Sequence, residues 1–345
     1  MSYYILPKKH MLFSLRPYIH TDNNVCERPY LSHSVYYYLN NIDTELSHCD
    51  FTDINVELLQ KQINPYEYLL DGEFVNLKKK TFTYFIYIEL LKISNVLFDT
   101  YASDKSKGVS IFCDIELIEI MSSIMYINKY HKLHFNQSLT ENIDIMSFLN
   151  TKIDNIYEYT KDLLKVLSNI LLFQSNNGSC IIKIGEVRYK PTIDILYILS
   201  ILYNKVYIIK PNTSNGFSSE RYVVCKNLST TQMERNILSI YINTYSLNWV
   251  NNKYNNNSSI FSNEIPYYFI NKIEESNLGI AHQFLEYNNI LINAIYSKLC
   301  KEKMDSIKKI NINKCILWCD KYKIPYKTND KNIFLHKIEI NQSLP

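Results

Sequence analysis

Apolar and polar positions along the chain fall into their clearest order between residues 155 and 228. "IYEYTKDLLKVLSNILLFQ" repeats its apolar positions every three to four residues and predicts an amphipathic helix of about five turns. Asn176-Asn177-Gly178 reads as its stop and turn. "SCIIKIG" is a short, nearly continuous apolar strand broken only by Lys183. "KPTIDILYILSILY" opens with Pro191, suited to a helix start, and leads into the strand "KVYIIK". A polar loop, "PNTSNGFSSE", then enters the strand "RYVVCKN". Helix, strand, helix, strand, loop, strand is an α/β pattern. Its last two strands lie close enough to pair as an antiparallel hairpin.

Outside this stretch the order is weaker. Residues 1–60 are polar and aromatic and predict no firm elements. "KKKTFTYFIYIELLKISNVLF" (78–98) predicts a helix with a basic start, and 138–149 reads as structured. Residues 271–304 carry long helical spacing. "NNKYNNNSSIFSN" (251–263) is a low-complexity loop and the natural boundary. The organisation expected is an N-terminal extension (1–60), an α/β domain (61–245), a loop (246–263) and a helical C-terminal region (264–345).

Composition changes little. At 46% hydrophobic and 21% charged residues, the chain is not disordered by default. A net charge of +3 neither demands nor excludes nucleic acid. The eight cysteines lack disulfide-like spacing, and no run is long and apolar enough to span a membrane. Free thiols in a soluble, cytoplasmic protein are expected. His131 and His134 have no acid or cysteine cluster to complete a metal site. Cys315 and Cys319, one helical turn apart beside Trp318, read as a packed helix face.

The candidate chemistry begins with Lys183, a lysine inside an isoleucine strand. Such a lysine either snorkels to the sheet edge or is held there for use as a base. Glu220 stands at the mouth of the strand that returns to the same sheet, so the two charges can meet at one edge.

The run from "NNGSCIIKI" to "SSERYVVCKN" resembles the C-terminal half of the FtsJ-like RNA 2′-O-ribose methyltransferases, in the versions found in large cytoplasmic DNA viruses. "QINPYEYLL" and "NKCILWCDKYKIPY" are similar to their flanking segments. The resemblance implies a Rossmann-like methyltransferase sheet with a closing antiparallel hairpin. It also implies a Lys-Asp-Lys-Glu tetrad, in which Lys183 is the base for the ribose 2′-hydroxyl and Glu220 the final acid. Asp144 is the nearest candidate for the tetrad's aspartate, and Lys78, beside Lys79 and Lys80, for its first lysine.

The implied donor is S-adenosyl-L-methionine, and the implied partner is RNA, by the resemblance capped mRNA. The matching donor loop is "FCDIELIEI", where Cys113, Glu116 and Leu117 fit the family pattern. Ile118, Glu119 and Ile120 stand where it has Pro-Gly-Gly. Side chains there would fill space that backbone needs to approach the donor. By the same resemblance, the short stretch from Leu117 to Asp144 is too small for the two strands and helix of active members. Two functions follow: a methyltransferase dependent on S-adenosyl-L-methionine, or a catalytically inactive pseudo-methyltransferase serving as an RNA-binding or capping-enzyme subunit.

Overall fold

The computed structural model describes residues 2–8, 32–49, 55–71, 74–75, 81–94, 109–127, 133–136, 139, 142–149, 156–250, 259–261, 264–296 and 301–326. The chain divides into two compact units that interleave along the sequence: residues 1–36, 90–211 and 219–281, and residues 37–89, 212–218 and 282–345.

The first unit is built on a seven-stranded sheet of order β1-β6-β7-β5-β4-β2-β3. The strands are β1 (Ser2–Leu6), β2 (Val109–Phe112), β3 (Leu133–Asn136), β4 (Ile143–Phe148), β5 (Gln174–Ile184), β6 (Tyr203–Lys210) and β7 (Arg221–Leu228). Strands β3, β2, β4 and β5 run parallel. Strand β7 inserts antiparallel between β5 and β6. This is the α/β, Rossmann-like sheet with a closing antiparallel hairpin that the sequence predicts.

Three helices cover one face: α5 (Ile156–Phe173), α6 (Lys190–Leu202) and α7 (Gln232–Val250). Alternate residues of the central strands turn to them, Cys180, Ile182 and Ile184 from β5 and Val223 and Cys225 from β7. Helix α6 is buried along nearly its whole length, so its sequence is apolar all round rather than striped. Its one carboxylate there, Asp194, pairs with Lys190 and accepts from the Ser259 hydroxyl and the Ile260 N–H, each at 2.7 Å. Ile260 and Phe261 are therefore core residues, in the middle of what reads as a low-complexity boundary. Helix α8 (Tyr267–Tyr296) continues past them.

Two expectations are corrected here. The polar N-terminus contains a strand: β1 pairs antiparallel with β6 as the sheet's edge. Its Tyr3 and Ile5 stay exposed, which leaves only a weak apolar signal. Helices α1 (His33–His48) and α2 (Val56–Ile63) also lie within residues 1–60 or just beyond. Second, Asn176-Asn177-Gly178 is an irregularity inside β5 rather than a turn before it. Asn177 takes φ 60°, and a Cβ on Gly178 would lie 3.0 Å from the Asp144 carbonyl oxygen and closer still to Gln174 and Ser175.

The second unit is helical in its described part. It holds most of α1, α2 and α3 (Phe82–Ser94), the later part of α8, and α9 (Lys301–Tyr322). Cys315 and Cys319 are buried on α9 as the sequence predicts, with the Cys315 thiol donating to the Pro65 carbonyl. Glu89 on α3 is fully buried. Its carboxylate accepts from the N–H groups of Asn212 and Thr213 and from Trp318 Nε1, each at 2.9 Å. Burial raises its pKa against those three donors. Among the described residues, no helix is long and apolar enough to cross a membrane.

Candidate functional site

Lys183 and Glu220 meet. Strand β5 carries Lys183 to the C-terminal edge of the sheet, level with Tyr222 of β7. The loop before β7 delivers Glu220 to the same edge. Lys183 Nζ lies 2.9 Å from Glu220 Oε2, with side chains 28% and 15% exposed. The pair is thus open enough to be reached by a ligand and closed enough for its charges to count. The C-terminal edge of a parallel α/β sheet is where such folds bind their ligands.

A second lysine belongs to this edge, and the sequence reading passed over it. Lys210 ends β6, and its Nζ donates to the Glu220 main-chain carbonyl at 2.9 Å. The residue is 2% exposed. Burial lowers its pKa to about 7, opposed by Glu220 and assisted by Arg221 and Lys183. Glu220 is consequently held twice, at its carboxylate by Lys183 and at its carbonyl by Lys210.

Arg221, the next residue, is also buried and lies level with Ile184 of β5. It donates from Nη1 to Asn277 Oδ1 at 2.6 Å and from Nε to the Ser219 carbonyl at 3.2 Å. Asn277 Nδ2 donates in turn to the Val187 carbonyl at 2.8 Å. Burial lowers the Arg221 pKa to about 10, with Tyr159, Glu186 and Tyr4 acting the other way. The Gly185 N–H donates to the Tyr159 hydroxyl at 3.1 Å. This network ties the loop after β5 to the start of β7, the two segments that present Lys183 and Glu220. Arg188 and Glu186 pair at the rim, with Arg188 also over the Tyr189 ring. "KP" at a strand end and "ER" at a strand start were the available signals for Lys210 and Arg221.

Asp144 is not brought to this pair. Ile145 is level with Ser179 and Phe148 with Ile182, so Asp144 sits near the opposite end of the sheet. At about 3.3 Å per residue it is roughly 16 Å from the level of Lys183. Its carboxylate is occupied there, accepting from the Ser110 N–H at 2.9 Å and the Ser175 hydroxyl at 2.8 Å. Carrying the register on by one residue puts Leu149 level with Lys183. Spacing along the sequence does not carry the register that puts Asp144 at this end of β4. Lys78 lies outside the described residues.

The expected donor loop is a helix. Strand β2 passes through Cys113 and Asp114 directly into α4 (Ile115–Ile127). Leu117 and Ile120 are buried core residues of that helix, and Ile118 and Glu116 lie within it. Ile118 and Ile120 need no glycine conformation, because none of the segment has positive φ. Burial pushes the Cys113 thiol up to about 12, followed by Asp114. The stretch from Leu117 to Asp144 does hold more than the sequence suggested: the rest of α4, β3 and the start of β4. Strand β3 ends at Asn136, whose amide donates to the Ser110 hydroxyl at 2.9 Å, and not at an acid. Among the described residues, these form no glycine cradle and place no carboxylate at the end of β3. They do not fit S-adenosyl-L-methionine in the manner the resemblance implies.

No protein-family model matches the chain. A curated relative, the cap-specific mRNA (nucleoside-2′-O-)-methyltransferase 2 of Danio rerio, is 29% identical over 124 residues. The match covers 36% of this chain and 16% of that protein, so the chain spans a small part of its relative's length. The similarity supports a relationship to RNA methyltransferases.

Proposed function

We propose that this chain is an RNA-binding relative of the cap-specific 2′-O-ribose methyltransferases that takes the ribose of capped mRNA at the Lys183–Glu220 pair. One observation carries the reading: an ion pair at 2.9 Å, partly exposed, at the ligand-binding edge of a Rossmann-like sheet. A ribose 2′-hydroxyl both donates and accepts, and the pair offers an ammonium and a carboxylate in reach of each other. Arg188 and Tyr189 at the rim suit a phosphate and a base. The helix that stands in place of the donor loop favours a role without methyl transfer, alone or as a capping-enzyme subunit.

Calorimetry with a capped RNA oligonucleotide tests this. Binding is expected to weaken about 10- to 100-fold in Lys183→Ala, the range for a lost hydrogen bond to a charged group. It is expected to weaken in the same direction when the first ribose lacks its 2′-hydroxyl. Equal binding in all three cases would refute the assignment.

A second reading is favoured by the same pair. In it Lys183 Nζ first releases its own proton to solvent, then takes the 2′-hydroxyl proton as general base, and Glu220 holds the ammonium that results. S-adenosyl-L-methionine would supply the methyl group in that case. Methyl transfer to capped RNA by the native chain, lost in Lys183→Ala, would establish this second reading over the first.

A further inference from the structure

Glu220 precedes β7 at the end of a polar loop. Two lysines reach it by different routes. Lys183, Tyr222 and Ile209 are level across β5, β7 and β6 and so share one face of the sheet. Lys210 follows Ile209 and therefore leaves β6 on the opposite face. Glu220 is gripped from both faces, at its carboxylate from one and at its carbonyl from the other.

We propose that Lys210 is a positioning residue of this site, anchoring the Glu220 main chain so that its carboxylate stays against Lys183 Nζ. The buried ammonium gives the anchor its strength, because a charge-assisted hydrogen bond to a carbonyl outweighs a neutral one in a dry setting. The same burial explains why the group sheds its proton near neutrality. Protonated, Lys210 holds the carbonyl firmly; neutral, it holds it as an ordinary amine and the edge carries one positive charge fewer. The charged groups around it are Lys183 on β5, Glu220 before β7 and Arg221 on β7. Beyond Arg221 lie Tyr159 on α5, Glu186 after β5 and Tyr4 on β1.

The inference rests on Lys183 and Glu220 being the ribose-facing pair, but its test needs neither RNA nor a methyl donor. Labelling glutamate carbonyls with 13C and arginine nitrogens with 15N isolates the Glu–Arg peptide bonds, which occur at Glu27, Glu220 and Glu234. The Glu220–Arg221 NMR cross-peak is followed from about pH 5.5 to about pH 8.5 in the full chain. In the native protein it is expected to move with a midpoint near 7. In Lys210→Met it is displaced and loses that movement. In Lys210→Arg, which keeps a donor and its charge throughout, it stays near the native low-pH position and is flat. The Glu234–Arg235 cross-peak reports that each variant is folded.

A native Glu220 cross-peak that does not move near neutral pH overturns the proposal, whether or not either variant folds. So does a movement that survives unchanged in a folded Lys210→Met. Loss of RNA binding with the titration intact would count against the ribose-site reading and leave the anchor standing.

Discussion

The two halves of one sheet place different residues at their ends. At the C-terminal edge of β5, with the start of β7 and the end of β6, four charged residues converge: Lys183, Lys210, Glu220 and Arg221. Lys210 and Arg221 are buried, Lys183 and Glu220 are half-buried, and each has a named partner across strands or loops. On the other side β2 runs directly into α4, whose Leu117 and Ile120 go into the core. Asp144 of β4 is at the far end of the sheet, holding Ser110 and Ser175. Buried charges at an edge carry a desolvation cost that apolar packing does not. Among the described residues, buried charges gather at this edge on the β5–β7 side and not on the β2–β4 side.

The largest expected effect comes from forcing the apolar side to resemble a donor loop. Replacing Ile118, Glu119 and Ile120 with Pro-Gly-Gly puts a proline and two glycines inside α4 and empties the Ile120 core position. A loss of roughly 5 kcal/mol or more in unfolding free energy is expected, from helix propensity and core truncation together. Chemical denaturation measures it. A variant as stable as the native chain that also binds S-adenosyl-L-methionine would show that the donor side is intact in plan.

A crossed pair of substitutions sharpens the contrast. Asp144→Ala should destabilise the chain by about 2 to 3 kcal/mol, leaving the Ser110 N–H and the Ser175 hydroxyl without their acceptor. It should leave RNA binding by the folded protein unchanged. Lys183→Ala should do the reverse, with little change in stability. RNA binding that depends on Asp144 as strongly as on Lys183 would erase the distinction between the two ends of the sheet.

Lys210 gives the smallest effect, read as pH dependence. Its folded pKa of about 7 lies below its ordinary value of 10.5, so between those values the unfolded chain binds the extra proton. Its contribution therefore opposes folding most below pH 7 and is relieved as pH rises. Relative to Lys210→Met, the native chain should gain about 2 kcal/mol from about pH 7 to about pH 8.5. Parallel stability curves for the two proteins would mean that Lys210 is not titrating in the folded state.

What the sequence made legible follows the same division. From α5 to β7 the elements announce themselves, because helix and strand periods alternate, Pro191 marks a start, and a polar loop separates two apolar runs. The Lys183–Glu220 meeting followed from two strand-end charges on one sheet. Strand β1 was hidden, since an edge strand with Tyr3 and Ile5 in the open needs no strict alternation. Asp144 was misplaced because spacing along the chain does not reveal the register of β4 against β5. Helix α4 was read as a loop through its resemblance to one, although its own apolar residues favour a packed helix. In the sequence Lys210 reads as the end of a strand and the start of a turn, and its burial emerges only when β6, β7 and β5 are side by side.

The central claim, an acceptor edge kept without a donor cradle, is tested most directly by titrating two ligands into the native chain by calorimetry. One is S-adenosyl-L-methionine alone, and the other is capped RNA bearing a free 2′-hydroxyl on its first nucleotide. The account predicts heat from the RNA and none from S-adenosyl-L-methionine, with or without RNA present. Binding of S-adenosyl-L-methionine at micromolar affinity would contradict it.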